Sequence, residues 1–134
     1  MNLPEFNKLP GAIAIDLDGT LLNSQTQLSE RNRLAIEKCL ANDIPVIIAT
    51  ARARRTTNRF IGENLSNKCS LIVLSGSLAV GNPPLGGFFK ETLNEDILRE
   101  IIDIARKRDI NTHFTIEIEG FKFGLNWQPD KDTL

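Results

Sequence analysis

Asp16 directly follows the apolar residues 12–15. Asp18 and Gly19 come after one intervening leucine. A carboxylate at the end of a buried segment is costly unless a cation, a proton or hydrogen-bond donors meet it. If the chain stays extended, side chains two residues apart project to the same side, so the two carboxylates converge. Gly19 allows a sharp turn and a close approach of the backbone to a ligand. Converging carboxylates beside exposed backbone N–H groups predict a site for Mg²⁺ and a phosphoryl group.

Two local structures are alternatives to such a site. Asp18-Gly19 is a favoured pair for a type I′ turn, which would fold residues 12–17 back on residues 20–23. That hairpin would leave Asp16 without a partner in an apolar strand, and its second strand would be short. Asp16 could also begin a helix as its N-cap, although glycine and a β-branched residue open a helix poorly. The sequence favours the ligand site over both.

A calcium-binding EF-hand loop also begins with the pattern Asp-x-Asp. Such a loop needs glycine at its sixth position and glutamate at its twelfth. Counted from Asp16, those positions hold Leu21 and Gln27. The sequence therefore excludes calcium binding of this type.

The flanking segments predict a parallel sheet that places these residues at one edge. Residues 12–15 and 45–49 are apolar and uncharged, as in strands buried on both faces. Between them Ser29 can cap a helix that runs to about Asn42. A strand, a helix and a second strand imply a right-handed crossover with both strands parallel. Thr50, at the end of the second strand, then faces the same crevice as Asp16.

Further elements follow along the chain. Residues 70–74 form a third core strand, and residues 78–80 and 88–90 form a hairpin around a turn rich in glycine and proline. Asn94 can cap an amphipathic helix, and residues 114–118 and 121–125 alternate as an antiparallel pair. We therefore predict a core at 1–81 and a second part at 82–134. Arg52, Arg54, Arg55 and Arg59 form a basic cluster that opens a helix running to about Leu65, and we expect the last three to form a solvated face.

Composition narrows the partners and the compartment. The 134 residues carry a net charge of −1, which gives no global field to attract nucleic acid or an acidic membrane. No apolar run has the length or the flanks of a membrane span or a signal peptide. Cys39 and Cys69 are isolated and lack metal-site spacing, so we expect buried free thiols in a reducing cytoplasm.

The segment Asp16-Leu17-Asp18-Gly19-Thr20-Leu21-Leu22 resembles the first motif of the haloacid dehalogenase-like (HAD) hydrolase superfamily, in its Cof-type form. The resemblance implies that Asp16 is a nucleophile that forms an aspartyl phosphate. It implies that Asp18 is the general acid and base. Mg²⁺ would be bound by Asp16 and by Asp18, the latter through its backbone carbonyl.

Thr50-Ala51-Arg52 is similar to the second motif, where Cof-type members usually have Thr-Gly-Arg. The resemblance implies that Gly19, Thr50, Ala51 and Arg52 surround the phosphate. Ala51 narrows the space near the backbone without removing a donor. After the third strand, Ser75-Gly76-Ser77 stands where Cof-type proteins commonly have Asn-Gly-Ala.

The family's third and fourth motifs, a lysine and an acidic pair, do not occur in this sequence. The resemblance therefore covers about the first half of a typical member: a HAD-like Rossmannoid parallel α/β sheet with three core strands and the start of an α/β cap of type IIB. We expect the first strand to lie at an open edge. One hypothesis is that this chain is a fragment of a longer protein. If it is not, we expect the chain to self-associate through that edge.

The function implied is that of a Mg²⁺-dependent phosphatase acting on small phosphorylated metabolites such as sugar phosphates. An alternative is a protein that binds phosphate or Mg²⁺ without catalysis, or a subunit completed by a second chain.

Overall fold

A computed structural model of the protein describes residues 10–108, 114–116 and 125–127. The helices and strands are β1 (Ile13–Asp16), α1 (Glu30–Ala41), β2 (Val46–Ala49), α2 (Arg54–Ile61), α3 (Glu63–Ser66), β3 (Ser70–Val73), β4 (Leu78–Val80), β5 (Phe88–Lys90), α4 (Glu95–Lys107), β6 (Phe114–Ile116) and β7 (Leu125–Trp127).

Five strands form one mixed sheet in the order β1-β2-β3-β4-β5. β1, β2 and β3 are parallel, whereas β4 and β5 are antiparallel to their neighbours. The predicted α/β class with three parallel core strands is thereby confirmed, as is the 78–90 hairpin. Among the described residues β1 pairs only with β2, so the expected open edge is present.

Two helices begin at the N-cap residues that the sequence predicts. The Oγ of Ser29 accepts a hydrogen bond from the backbone N–H of Asn32, and the Oδ1 of Asn94 accepts one from the backbone N–H of Asp96. The prediction of one continuous helix from the arginine cluster to about Leu65 is wrong. It breaks at Gly62, whose φ of 84° lies outside the helical region, and a separate short helix, α3, follows.

The core lies on one side of the sheet. On β2 and β3 the side chains that face it are buried, including Val46, Ile48 and Leu71. On the opposite face Ala14 is exposed and Ile72 keeps 38% of its surface accessible. The prediction of burial on both faces is therefore wrong for residues 12–15, whereas on β2 the outward Ile47 and Ala49 are half-buried. Alternation along each strand directs every second side chain to this opposite face.

The chain separates into two compact units, Met1–Lys90 and Glu91–Leu134. The first contains the five-stranded sheet, so the β4–β5 hairpin belongs with it. The second contains α4 and the antiparallel pair β6–β7, whose register places Phe114 opposite Trp127. The turn predicted between these strands lies outside the described residues. The assignment of the two parts of the chain as core (1–81) and cap (82–134) stays a prediction. Within the part of the chain described, no helix is long and apolar enough to cross a membrane.

Candidate active site

The two aspartates stand at the carboxyl end of β1. Asp16 is the last residue of β1 and pairs in register with Ala49, the last residue of β2. Thr50 therefore directly follows the end of the neighbouring strand. Leu17, between the two acids, is fully buried, whereas Asp16 and Asp18 are both exposed. The chain thus alternates through Leu17, as extended geometry requires, and presents both carboxylates to solvent.

A tight turn over Leu17–Leu21 follows β1. Leu17 and Leu21 anchor the turn in the core, while Gly19 adopts φ 71° and ψ 0°. This left-handed conformation is one that glycine takes without steric cost. Thr20 completes the turn, and its hydroxyl Oγ1 lies 3.4 Å from Oδ2 of Asp16 as a donor. The Asp16 carboxylate is therefore held only loosely and remains available to a ligand.

Arg52 and Asp18 form the strongest polar contact of the site. Nε of Arg52 donates to both carboxylate oxygens of Asp18, at 3.1 Å and 2.8 Å, and Nη2 donates to Oδ1 at 2.7 Å. This fork matches the planar guanidinium to the carboxylate. Both side chains are partly exposed, at 33% for Arg52 and 48% for Asp18, so solvent screens the pair.

The bridge changes the charge balance of Asp18. Hydrogen bonds from Arg52 lower the pKa of the Asp18 carboxyl below its ordinary value, and the charge of Arg52 acts in the same direction. Partial burial opposes these effects and does not overcome them. The same contact raises the pKa of Arg52. In this structure Asp18 is therefore an ionised carboxylate that accepts hydrogen bonds.

Backbone hydrogen bonds fix the loop that carries Arg52. The N–H of Thr50 donates to the carbonyl of Ile72 at 2.8 Å, and the N–H of Arg52 donates to Oγ1 of the buried Thr50 at 3.2 Å. The N–H of Leu74 donates to the carbonyl of Arg52 at 3.0 Å. The ends of β2 and β3 are thereby joined through Arg52. The ring of Phe60 lies under the guanidinium, with its centroid 4.6 Å from Cζ.

The turn after β3 has an unusual backbone. Leu74, Ser75 and Gly76 all adopt positive φ, at 53°, 55° and 93°. Left-handed conformation costs an L-residue roughly 1–2 kcal/mol, and glycine almost nothing. Two consecutive non-glycine residues in this region therefore carry strain, and one of them, Leu74, is hydrogen-bonded to Arg52.

The chemistry of the donors fits Mg²⁺ in part. Mg²⁺ prefers oxygen ligands, keeps several waters and usually takes one or two protein carboxylates. The exposed Asp16 carboxylate and the backbone carbonyl of Asp18 suit that set of ligands. The side-chain carboxylate of Asp18 is instead hydrogen-bonded to Arg52. Within the described residues no group of three acidic, histidine or cysteine side chains could hold a metal ion.

The structure brings together most residues that the sequence singled out. Asp16 ends β1, Asp18 and Gly19 lie in the turn that follows it, and Thr50 and Arg52 follow β2. Ala51 is exposed between the latter two. Sequence reasoning missed Phe60, since an apolar residue in a helix is ordinarily assigned to the core. Its spacing from Arg52 gave no separate signal.

Comparisons with known proteins show the family of the chain. Residues 13–129 match the family model described as haloacid dehalogenase-like hydrolase. The chain belongs to that family. It is 51% identical over 98 residues to the phosphatase YwpJ of Bacillus subtilis, covering 73% of this chain and 30% of that protein. It is 32% identical over 99 residues to the 5-amino-6-(5-phospho-D-ribitylamino)uracil phosphatase YcsE of the same organism, covering 74% of this chain and 39% of that protein.

Solved structures show the same fold. A haloacid dehalogenase-like hydrolase from Bacillus subtilis superposes with a TM-score of 0.62 at 31% identity, covering 75% of this chain and 34% of that one. A protein from Thermotoga maritima superposes with a TM-score of 0.65 at 26% identity, covering 84% and 40%. The chain thus spans well under half the length of these relatives.

Proposed function

We propose that the protein is a Mg²⁺-dependent phosphatase that hydrolyses phosphomonoesters of small metabolites through an aspartyl phosphate. The observation that carries this proposal is the placement of Asp16, exposed and loosely held, at a parallel strand end beside the Thr50–Arg52 loop. Carboxyl ends of parallel strands are where α/β sheets bind ligands. Membership in the hydrolase family, with relatives named as phosphatases, supports the reaction class.

In the proposed reaction the Asp16 carboxylate attacks phosphorus in line with the ester oxygen. A bond forms between Oδ of Asp16 and phosphorus, and the bond from phosphorus to the ester oxygen breaks. The leaving oxygen keeps the electron pair and takes a proton from Asp18, which the entering phosphate has released from Arg52 and which has then taken up a proton from water. Water then attacks the same phosphorus, Asp18 accepts its proton, and Asp16 leaves as a carboxylate. The products are inorganic phosphate and an alcohol.

The phosphate group would be held by neutral and cationic donors. Arg52 offers a planar set of N–H donors, and Thr50 offers a hydroxyl at the strand end. The turn at Gly19 and the exposed backbone at Ala51 supply space and N–H groups. Asp16 and the backbone carbonyl of Asp18 would hold Mg²⁺, which when bound offsets the repulsion between the carboxylate and the phosphate.

The substrate we propose is a phosphorylated sugar or sugar alcohol. The relative YcsE is named for a phosphoribitylamino compound, which has that character. Two free cysteines, Cys39 and Cys69, support a reducing compartment, and we propose the cytoplasm.

The test is hydrolysis of p-nitrophenyl phosphate by the product of the whole reading frame, with and without Mg²⁺. We expect turnover that needs Mg²⁺ and is abolished by Asp16→Asn. Borohydride reduction of the enzyme trapped with substrate should convert Asp16 to homoserine, because an acyl phosphate is reduced to an alcohol. Turnover that survives Asp16→Asn would contradict the role of Asp16. Phosphate binding without turnover would favour a non-catalytic binding protein.

A further inference from the structure

Phe60 lies at the last turn of α2 and contacts the guanidinium of Arg52 through the face of its ring. The distance of 4.6 Å from Cζ to the ring centroid is within the range of a cation–π interaction. Phe60 is half-buried and packs against the core cluster, so its ring position is fixed by the fold. Thr57 and Ile61, both buried, hold the same helix in place independently of Phe60.

Arg52 is thereby restrained along its whole length. Its N–H and carbonyl are fixed by Thr50 and Leu74, its guanidinium edge by Asp18, and its guanidinium face by Phe60. An unrestrained arginine side chain loses rotamer entropy when it is ordered on a ligand. A stacked ring lowers that cost before a ligand arrives, because the guanidinium plane is already set.

The restraint acts on the face of the guanidinium and leaves its edges to anions. A guanidinium has five N–H donors arranged in a plane, and the contact with Asp18 uses the edge formed by Nε and Nη2. Stacking does not compete with hydrogen bonding in that plane. The guanidinium can therefore exchange Asp18 for another anion while it stays on the ring.

We propose that Phe60 is a positioning residue, which holds the Arg52 guanidinium on its ring so that this cation binds Asp18 in the phosphate-free site and a phosphate group when one enters. The identity of the anion as phosphate rests on the proposed function. The stacking contact itself does not.

The test is a double-mutant cycle on the affinity for inorganic phosphate in the presence of Mg²⁺, measured by titration calorimetry on the product of the whole reading frame. The four proteins are the wild type, Phe60→Leu, Arg52→Gln and the double variant. We expect Phe60→Leu to weaken phosphate binding about two- to fivefold, the loss for a partly exposed cation–π contact. In the Arg52→Gln background the same change should have no effect, because no cation remains.

Two further variants separate stacking from packing. Phe60→Trp keeps an aromatic face and should keep the wild-type affinity. Phe89→Leu makes the same substitution at an exposed strand position and should also leave phosphate affinity unchanged. If Phe60→Leu does not fold, Phe60→Met replaces it, since methionine fills similar space without an aromatic face.

Equal losses from Phe60→Leu in both backgrounds would overturn the positioning role and assign Phe60 to packing alone. Loss of affinity in Phe60→Trp, or a wild type that binds no phosphate, would overturn it too. Absent turnover combined with a coupled loss of phosphate affinity would instead contradict the proposed function and leave the positioning role standing.

Discussion

Arg52 binds both carboxylate oxygens of Asp18 although 34 positions separate the two residues in the chain. The contact joins the turn after β1 to the loop after β2. It places a permanent cation on the residue that we propose as the general acid and base. In the phosphate-free site the positive charge of Arg52 therefore balances the negative charge of the Asp18 carboxylate. An entering phosphate would compete with Asp18 for the same guanidinium.

Replacing Asp18 tests its proposed catalytic role. Asp18→Asn keeps the shape of the side chain but cannot transfer a proton, so we expect turnover to fall about 10²- to 10⁴-fold. The measurement is kcat with p-nitrophenyl phosphate at saturating Mg²⁺. Asp43→Asn is the matched control, because Asp43 is exposed and precedes β2 at the end opposite Thr50. Equal activity of the two variants would refute the role of Asp18.

The strained turn after β3 offers a stabilising substitution. Ser75 has φ 55° and ψ 32°, a left-handed conformation that asparagine tolerates better than serine. We expect Ser75→Asn to raise the free energy of unfolding by about 0.5 kcal/mol and Ser75→Val to lower it by about 1 kcal/mol. Urea denaturation measures both. If valine and asparagine give the same stability, the turn is not strained at this residue.

Gly81 is required by the close approach of two backbones in the β4–β5 hairpin. A Cβ at this position would lie 1.7 Å from the carbonyl oxygen of Gly86, and the N–H of Gly81 donates to the carbonyl of Gly87 at 2.8 Å. Gly81→Ala should therefore lower the free energy of unfolding by about 2 kcal/mol or more. Gly11→Ala is the control, since an added Cβ there meets nothing within 4 Å. A stable Gly81→Ala variant would show that the hairpin rearranges freely.

Cys69 should make stability depend on pH in the alkaline range. Burial raises the pKa of its thiol from 9.0 to about 11. Below the unfolded-state pKa the thiol is neutral in both states, so its contribution is fully present. Between 9.0 and about 11 the unfolded chain loses this proton and the folded chain keeps it, so the free energy of unfolding falls as pH rises.

The comparison that isolates this effect is Cys69→Ala. We expect its alkaline slope in denaturation experiments to be shallower than that of the wild type. At neutral pH a thiol reagent should modify the half-buried Cys39 first and Cys69 only on unfolding. Rapid labelling of Cys69 in the folded protein would contradict its burial.

Local patterns allowed the order of the elements to be predicted. The helix caps at Ser29 and Asn94 and the hairpin at residues 78–90 depend on residues near in sequence, and the structure confirms them. The placement of the two aspartates after β1 followed from a motif of adjacent residues. These features need no knowledge of distant contacts.

Features that depend on distant contacts were not predicted. The meeting of the two strand ends was predicted from the parallel sheet, but the bridge from Arg52 to Asp18 and the stacking on Phe60 depend on side-chain conformations that the sequence pattern did not specify. Burial of the strands on both faces was expected from their apolar composition. Ala14 on β1 and Ile72 on β3 are nevertheless exposed. Composition indicates the environment that suits a strand and does not show what packs against it.

The hydrogen bond from Leu74 to Arg52 ties the turn after β3 to the residue that we propose to bind the phosphate. A change in the turn that follows β3 would be transmitted through this single bond to the backbone at Arg52 and so to the reach of its guanidinium. Relatives with a relaxed turn and relatives with a strained one could thus differ in affinity for the same ester while every residue in contact with it stays identical.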